Sequence, residues 1–182
     1  AILLGALAEF DARDSETHIE EGEIFSDYTR FLDKNGLAGK RIGIASEMIG
    51  FNSKVDVLFK QAVEVLKSKG AEIVEEVKFE NRRKWGSPSY QVLLYEIRAD
   101  LNKYLQEHGS APVKSMEEII EFNKKNADQE MPWFDQEIFE LAQAKGDLST
   151  KEYLAALKDS KKFAGVEGID AVMEKHNLDA II

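Results

Sequence analysis

The sequence contains no cysteine, which removes disulfides, thiolate nucleophiles and thiolate metal sites but suits either redox setting. Long hydrophobic runs are missing too. The apolar opening, Ala1-Ile2-Leu3-Leu4-Gly5-Ala6-Leu7, is far shorter than the ~20 residues that span a bilayer. It also lacks the basic flank and small-residue cleavage site of a signal peptide, so no membrane partner is expected. Positive charge is in short supply: 24 Lys and Arg face 34 Asp and Glu, a formal net charge of −10. Such a field repels phosphate backbones, so no nucleic-acid partner is expected. An acidic balance of this kind is common among cytosolic enzymes, and the cytoplasm is the expected compartment.

What is present is an ordinary globular composition, 43% hydrophobic and 32% charged over 182 residues. A chain of this length can bury roughly 70% of its unfolded surface as one domain. Both ends read as cuts through structure. The opening is an apolar helical run without an N-cap, and the close, Leu178-Asp179-Ala180-Ile181-Ile182, is a strand without its turn. The expectation is an internal piece of a larger protein. An exposed sheet edge and apolar surface then favour self-association.

The clearest local unit lies in residues 40–77. Lys40-Arg41-Ile42-Gly43-Ile44-Ala45 reads as a strand, and Val55, Leu58, Phe59, Ala62 and Leu66 fall at helical spacing. Lys69-Gly70 ends that helix, and Ala71 to Val77 reads as a second strand. Short joints make this a parallel βαβ unit. Before it, Asp11 to Ser26 reads as an acidic surface loop, and Asp33-Lys34-Asn35-Gly36 as a turn with Gly36 supplying positive φ. After it, Asn81 to Pro88 reads as a basic loop and the remainder as helices. Ser89 to Gln106 is apolar enough all round to be largely buried. Ser115-Met116-Glu117-Glu118 and Ser149-Thr150-Lys151-Glu152 have capping-box spacing. A helix covers Phe134 to Ala144, and the one opened at Ser149 is expected to break near Gly165 or Gly168. The fold class is therefore α/β, with a parallel βαβ unit followed by a mainly helical layer. One piece, 1–182, divides into 1–80, 81–177 and a final strand at 178–182.

Motifs for chemistry are few. The strand–helix joint Ser46-Glu47-Met48-Ile49-Gly50-Phe51-Asn52-Ser53 has one glycine and an acid, neither a dinucleotide fingerprint nor a phosphate loop. No serine stands in G-x-S-x-G. Gly86-Ser87-Pro88-Ser89 reads better as a loop entering a helix N-cap. His18, His108 and His176 are scattered, and Glu20, Glu21 and Glu23 have no metal-ligand spacing. Arg82-Arg83-Lys84 reads as solvent-facing. Met131-Pro132-Trp133-Phe134 puts large apolar side chains in a loop. Such residues plug a core or line an apolar pocket, and core packing is the commoner fate.

Taken in order, these segments resemble the amidase signature family. The Ala/Leu-rich opening precedes Asp11-Ala12-Arg13-Asp14; Gly39 to Gly43 reads Gly-Lys-Arg-Ile-Gly; Gly70 to Val74 reads Gly-Ala-Glu-Ile-Val. Leu93-Leu94-Tyr95-Glu96 with Ala99-Asp100-Leu101-Asn102 is similar to the buried helix of free-standing amidases. Ile119 to Asn123, Gln136 to Phe139 and Asn177 to Ile182 continue the series. The resemblance covers nearly the whole chain. It implies part of a larger mixed sheet and a parent that hydrolyses carboxylic amide C–N bonds through a Ser–cis-Ser–Lys triad. In that scheme serine is acylated and lysine is the base. No residue here matches the triad, so the resemblance implies no catalytic residue, no cofactor and no metal within this chain. It implies a small-molecule amide as substrate of the full-length protein. Tyr-Asp-Gly-Val-Arg-like segments of the tRNA-amidotransferase subunits give way here to Leu94-Tyr95-Glu96-Ile97-Arg98-Ala99-Asp100, which favours an ordinary amidase. Side-chain type alone suggests Tyr95, Met131, Trp133 and Phe134 as an apolar substrate-lining wall. The rival reading is a stand-alone α/β binding or interaction domain without catalysis.

Overall fold

The computed structural model describes residues 1–14, 17 and 24–182. His18 and the Glu20, Glu21 and Glu23 run lie outside the described residues. A short helix, α1 (Ile2–Leu7), comes first. The expected strand–helix–strand unit follows as β1 (Arg41–Ala45), α2 (Ser53–Ser68) and β2 (Glu72–Val77). Asn52 starts α2 because its side chain accepts from the Lys54 and Val55 amides, replacing partners those amides lack inside the helix. Gly70 ends it at φ 88°, a conformation that a side chain would penalise.

β1 and β2 pair in parallel, Arg41 opposite Glu72 and Gly43 opposite Val74. The last strand, β3 (Ala180–Ile181), runs parallel on the other side of β1, giving the order β2-β1-β3. Gly43 lies at the crowded point of this sheet. A β-carbon there would stand 2.5 Å from Leu178 Cδ1 and 3.0 Å from Val77 Cγ2. Its absence lets those side chains close over β1, in a core of Ala45, Val77, Phe79, Val172 and Leu178.

Polar contacts lock β3 in register. Lys40 Nζ donates to Asp179 Oδ1 at 2.7 Å and the Arg41 amide to Asp179 Oδ2 at 2.8 Å. The Arg41 guanidinium pairs with Glu72 and donates to the carbonyls of His176 and Asn177. These carbonyls end a helix, where a cation is favoured. The turn at Asp33–Gly36 is present, closed by the Gly36 amide on the Asp33 carbonyl. The positive φ is at Gly39 (73°) instead of Gly36, because the chain reverses there to enter β1.

The helical layer is built on α3 (Arg82–Glu107). It starts well before Ser89, so the expected loop at 81–88 and the N-cap at Gly86-Ser87-Pro88-Ser89 are both replaced by helix, with Pro88 inside. Packing overrides the local breakers: the Trp85 ring lies 5.6 Å from Phe79 against the sheet core. The helix is also less buried than its apolar content suggests. Leu94, Tyr95 and Leu105 are buried, but Leu93 is 51% and Tyr104 54% exposed. The other helices of this layer pack along part of its surface only.

α4 (Met116–Lys125) is capped by Ser115, as the spacing predicts. Glu118 reaches the Lys114 amide, one residue further back than a reciprocal box. α5 (Ala127–Glu130) and α6 (Glu137–Gln143) follow, with α6 starting three residues later than Phe134. α7 (Lys151–Lys161) is capped by Thr150, not Ser149; the Ser149 hydroxyl is held by Asp147. No break occurs near Gly165. The helix widens into a π-turn over Lys162–Asp170, and Gly168 permits it, since a β-carbon there would run into the Phe163 carbonyl. α8 (Ala171–His176) leads to β3. Leu94, Met116, Ile120 and Ala142 form the second core. Among the described residues no helix is long and apolar enough to cross a membrane.

Candidate functional site

The residues expected to line a substrate wall fall in two places. Met131, Trp133 and Phe134 occupy the loop between α5 and α6. Core packing of the aromatics does not occur: Trp133 and Phe134 are each 86% exposed. The cause is at the loop's base. Gln136 donates to the Ile120 carbonyl at 3.1 Å and accepts from Asn123 at 3.0 Å. Polar bonds thus anchor the loop on α4, and its aromatic side chains turn outward. Met131 and Phe134 share a groove of about 330 Å³ with Ile138 and Phe139, rimmed by Glu130, Asp135 and Glu137. Trp133 is not among the residues that line it.

Tyr95 lies elsewhere, buried within the helical layer. Its ring is 5.5 Å from that of Tyr153, and Lys145 Nζ stands 5.5 Å from its centroid. Around it runs a polar seam that sequence reading missed. The Tyr153 hydroxyl donates to Glu96 at 2.8 Å, Lys145 donates to Gln91 at 2.7 Å, and Arg98 donates to the carbonyls of Lys145 and Gly146. The bond to Glu96, followed by burial, pushes the Tyr153 phenol above its ordinary value. The partners are about fifty residues apart, so spacing carried no signal for them. The seam ties α3 to the connection between α6 and α7 and to α7 itself, and holds no activated nucleophile. The Ser89 and Ser160 hydroxyls bond each other at 2.9 Å and not a base.

The other sequence candidates take ordinary positions. His108 stacks on Tyr104 at 4.3 Å. Arg82, Arg83 and Lys84 form the first turn of α3, with Lys84 Nζ 5.4 Å from the Phe163 ring centroid. Among the described residues no three His, Asp or Glu side chains gather to hold a metal ion. At the C-terminal end of β1 lies an apolar hollow of about 260 Å³ walled by Ile44, Ile49, Phe59 and Val63. A second hollow of about 220 Å³ shares Ile49 and Phe59 and runs on past Phe51 and Val55.

This arrangement of sheet, helical layer and loop occurs in a solved protein. The native peptide amidase from Stenotrophomonas maltophilia superposes with a TM-score of 0.86 at 34% identity, over 98% of this chain and 37% of that one. The Arabidopsis thaliana protein "Probable amidase At4g34880" is 32% identical over 190 aligned residues, 99% of this chain and 35% of its own length. The chain belongs to the amidase signature family. The putative amidase of Arthroderma benhamiae, at 29% identity over 100% of this chain and 32% of its own length, is a further relative. No protein-family model matches the chain. The chain spans about a third of the curated amidases it matches. The α/β fold expected from the resemblance is thus present, and its three described strands are all parallel.

Proposed function

We propose that this chain forms part of an amidase-type hydrolase that cleaves carboxylic amide C–N bonds, with nucleophile and base supplied from outside these residues. The observation that carries the reading is the structural match to peptide amidase over 98% of the chain at 34% identity. The division into 1–80, 81–177 and 178–182 belongs to this proposal, as one portion of a larger domain. A small-molecule amide, with a peptide amide as the first to try, is its substrate, and the cytoplasm its compartment. Nucleic acid is not among its partners.

Met131 and Phe134, with Trp133 beside them, would supply an apolar wall for the substrate's side groups. Tyr95, behind the surface, would support that wall through the helical layer. The acidic rim of the groove would favour substrates without negative charge.

Two experiments test this. Splicing the chain into the S. maltophilia peptide amidase in place of its homologous stretch should give an enzyme that releases ammonia from peptide amides. A folded but inert chimera would leave the stand-alone binding domain as the better reading. In an active chimera, Phe134→Ala should lower the preference for bulky apolar amides roughly tenfold, the worth of one or two lost methylene-sized contacts. Unchanged relative kcat/KM would remove Phe134 from the wall. The chain alone should not be labelled by a fluorophosphonate.

A further inference from the structure

Two residues of the groove that Met131 and Phe134 share are carboxamides, Asn123 and Gln136, and one carbonyl fixes how both are turned. The Ile120 carbonyl can only accept, so Gln136 must offer it an N–H, at 3.1 Å. Gln136 Oε1 then accepts from Asn123 Nδ2 at 3.0 Å. Asn123 Oδ1 is left pointing away from that bond as an acceptor. Each carboxamide carries two N–H donors and one oxygen, so these bonds do not use up the pair. Among the described residues, Asn123 Oδ1 and the second N–H of each side chain have no protein partner. The elements behind them are firmly joined: Met116 and Ile120 of α4 share a core with Ala142 of α6. A few fixed polar groups in an otherwise apolar groove are what orient a ligand.

We propose that Asn123, held by Gln136, is a subsite for a backbone amide that the enzyme recognises and does not cleave. Asn123 Oδ1 accepts the N–H of the substrate residue whose apolar side group lies against Met131 and Phe134. The remaining carboxamide N–H groups match a carbonyl of the same peptide. The ligand class is therefore an N-acylated amino-acid amide with an apolar side chain. An ester analogue of the same shape lacks the N–H and leaves Asn123 Oδ1 unpaired on binding, which costs affinity. The proposal rests on the amidase reading above and adds to it the group that sets the substrate's register in the groove.

The test uses one pair of probes, N-acetyl-L-phenylalanine amide and the analogue in which its acetyl-bearing N–H is replaced by oxygen. In NMR titrations of this chain to about 5 mM probe, a few times the millimolar dissociation constant of so small a ligand, the amide probe should shift the side-chain NH2 signals of Asn123 and Gln136. The ester probe should shift them much less. Equal shifts with both probes, shifts confined to other residues, or no shift would each overturn the proposal. In the spliced chimera, kcat/KM for ammonia release should favour the amide probe over the ester roughly tenfold, the worth of one hydrogen bond. Asn123→Leu should bring that ratio to about one, while Phe134→Ala, which alters only the apolar wall, should leave it unchanged. The ratio is taken within each variant, so a general loss of activity or a shifted loop does not move it. A chimera without the preference, or an Asn123→Leu variant that keeps it, overturns the subsite. An inert chimera counts against the hydrolytic function, and the titration of the unaltered chain then decides the subsite by itself.

Discussion

Around β1, residues far apart in sequence meet through backbone and charge. Lys40 and Arg41 hold Asp179 across 139 and 138 residues of sequence, and Gly43 admits Leu178 because it has no side chain. The helical layer is closed by other means. Ser115 and Thr150 cap its helices, a seam of Tyr153, Glu96, Arg98 and Lys145 joins them, and Met116 fills their core. Cover is uneven within the sheet unit: four of the five residues of β1 are buried, whereas α2 buries only Val63.

The comparison breaks most easily at Met116, which is fully buried. Met116→Ala should cost about 2–5 kcal/mol, with protection lost first in α4 and α6. Denaturant melts followed by amide exchange check this, and simultaneous loss in β1 would make the two regions one cooperative unit. Next is Gly43→Val, where forced overpacking against Leu178 and Val77 should cost about 1–3 kcal/mol. Its effect should appear as faster exchange at Asp179–Ile182 with α4 unchanged.

Tyr153→Phe should cost about 1 kcal/mol, because Glu96 loses its half-buried donor. Its pH signature separates it from simple packing loss. The Tyr153 phenol titrates above the ordinary value of 10.0, held up first by Glu96 and then by burial. The stabilisation is complete below 10.0 and disappears as pH rises through the higher folded value. The variant should lack that alkaline step in its melting temperature. The smallest effect is at Asp179, whose carboxyl is held below the ordinary 3.8 by Lys40 and then by the Arg41 amide. Its contribution is complete above 3.8 and fades as pH falls through the lower folded value. Asp179→Asn should abolish this acid step, read as exchange at β3, and leave the helical layer unaffected.

Both outcomes of sequence reading have local causes. The strands near Lys40 and Ala71, the glycine stop at Gly70 and the Ser115 cap were legible because each depends on a few adjacent residues. The start of α3 was not: Gly86 and Pro88 signal a loop, and Trp85 reaches the sheet core only once the sheet exists. The loop at Met131 to Phe134 misled for the opposite reason. Large aromatics suggest a core, but Gln136 and Asn123 fix the loop's base so that they face solvent. Of the wall residues, the structure joins Met131 and Phe134 in one groove and keeps Tyr95 apart.

Periodicity, caps and turn residues were enough to settle the β1–α2–β2 unit and its parallel pairing, since those follow from contacts within a few residues or across one short crossover. The order of segments along the chain was enough to place it among the amidases. The position of β3 beside β1, the widening of the helix at Gly168 and the inward or outward fate of each aromatic were left to packing. Each of these depends on side chains that meet from distant parts of the chain, and a distance in space leaves no period in a sequence.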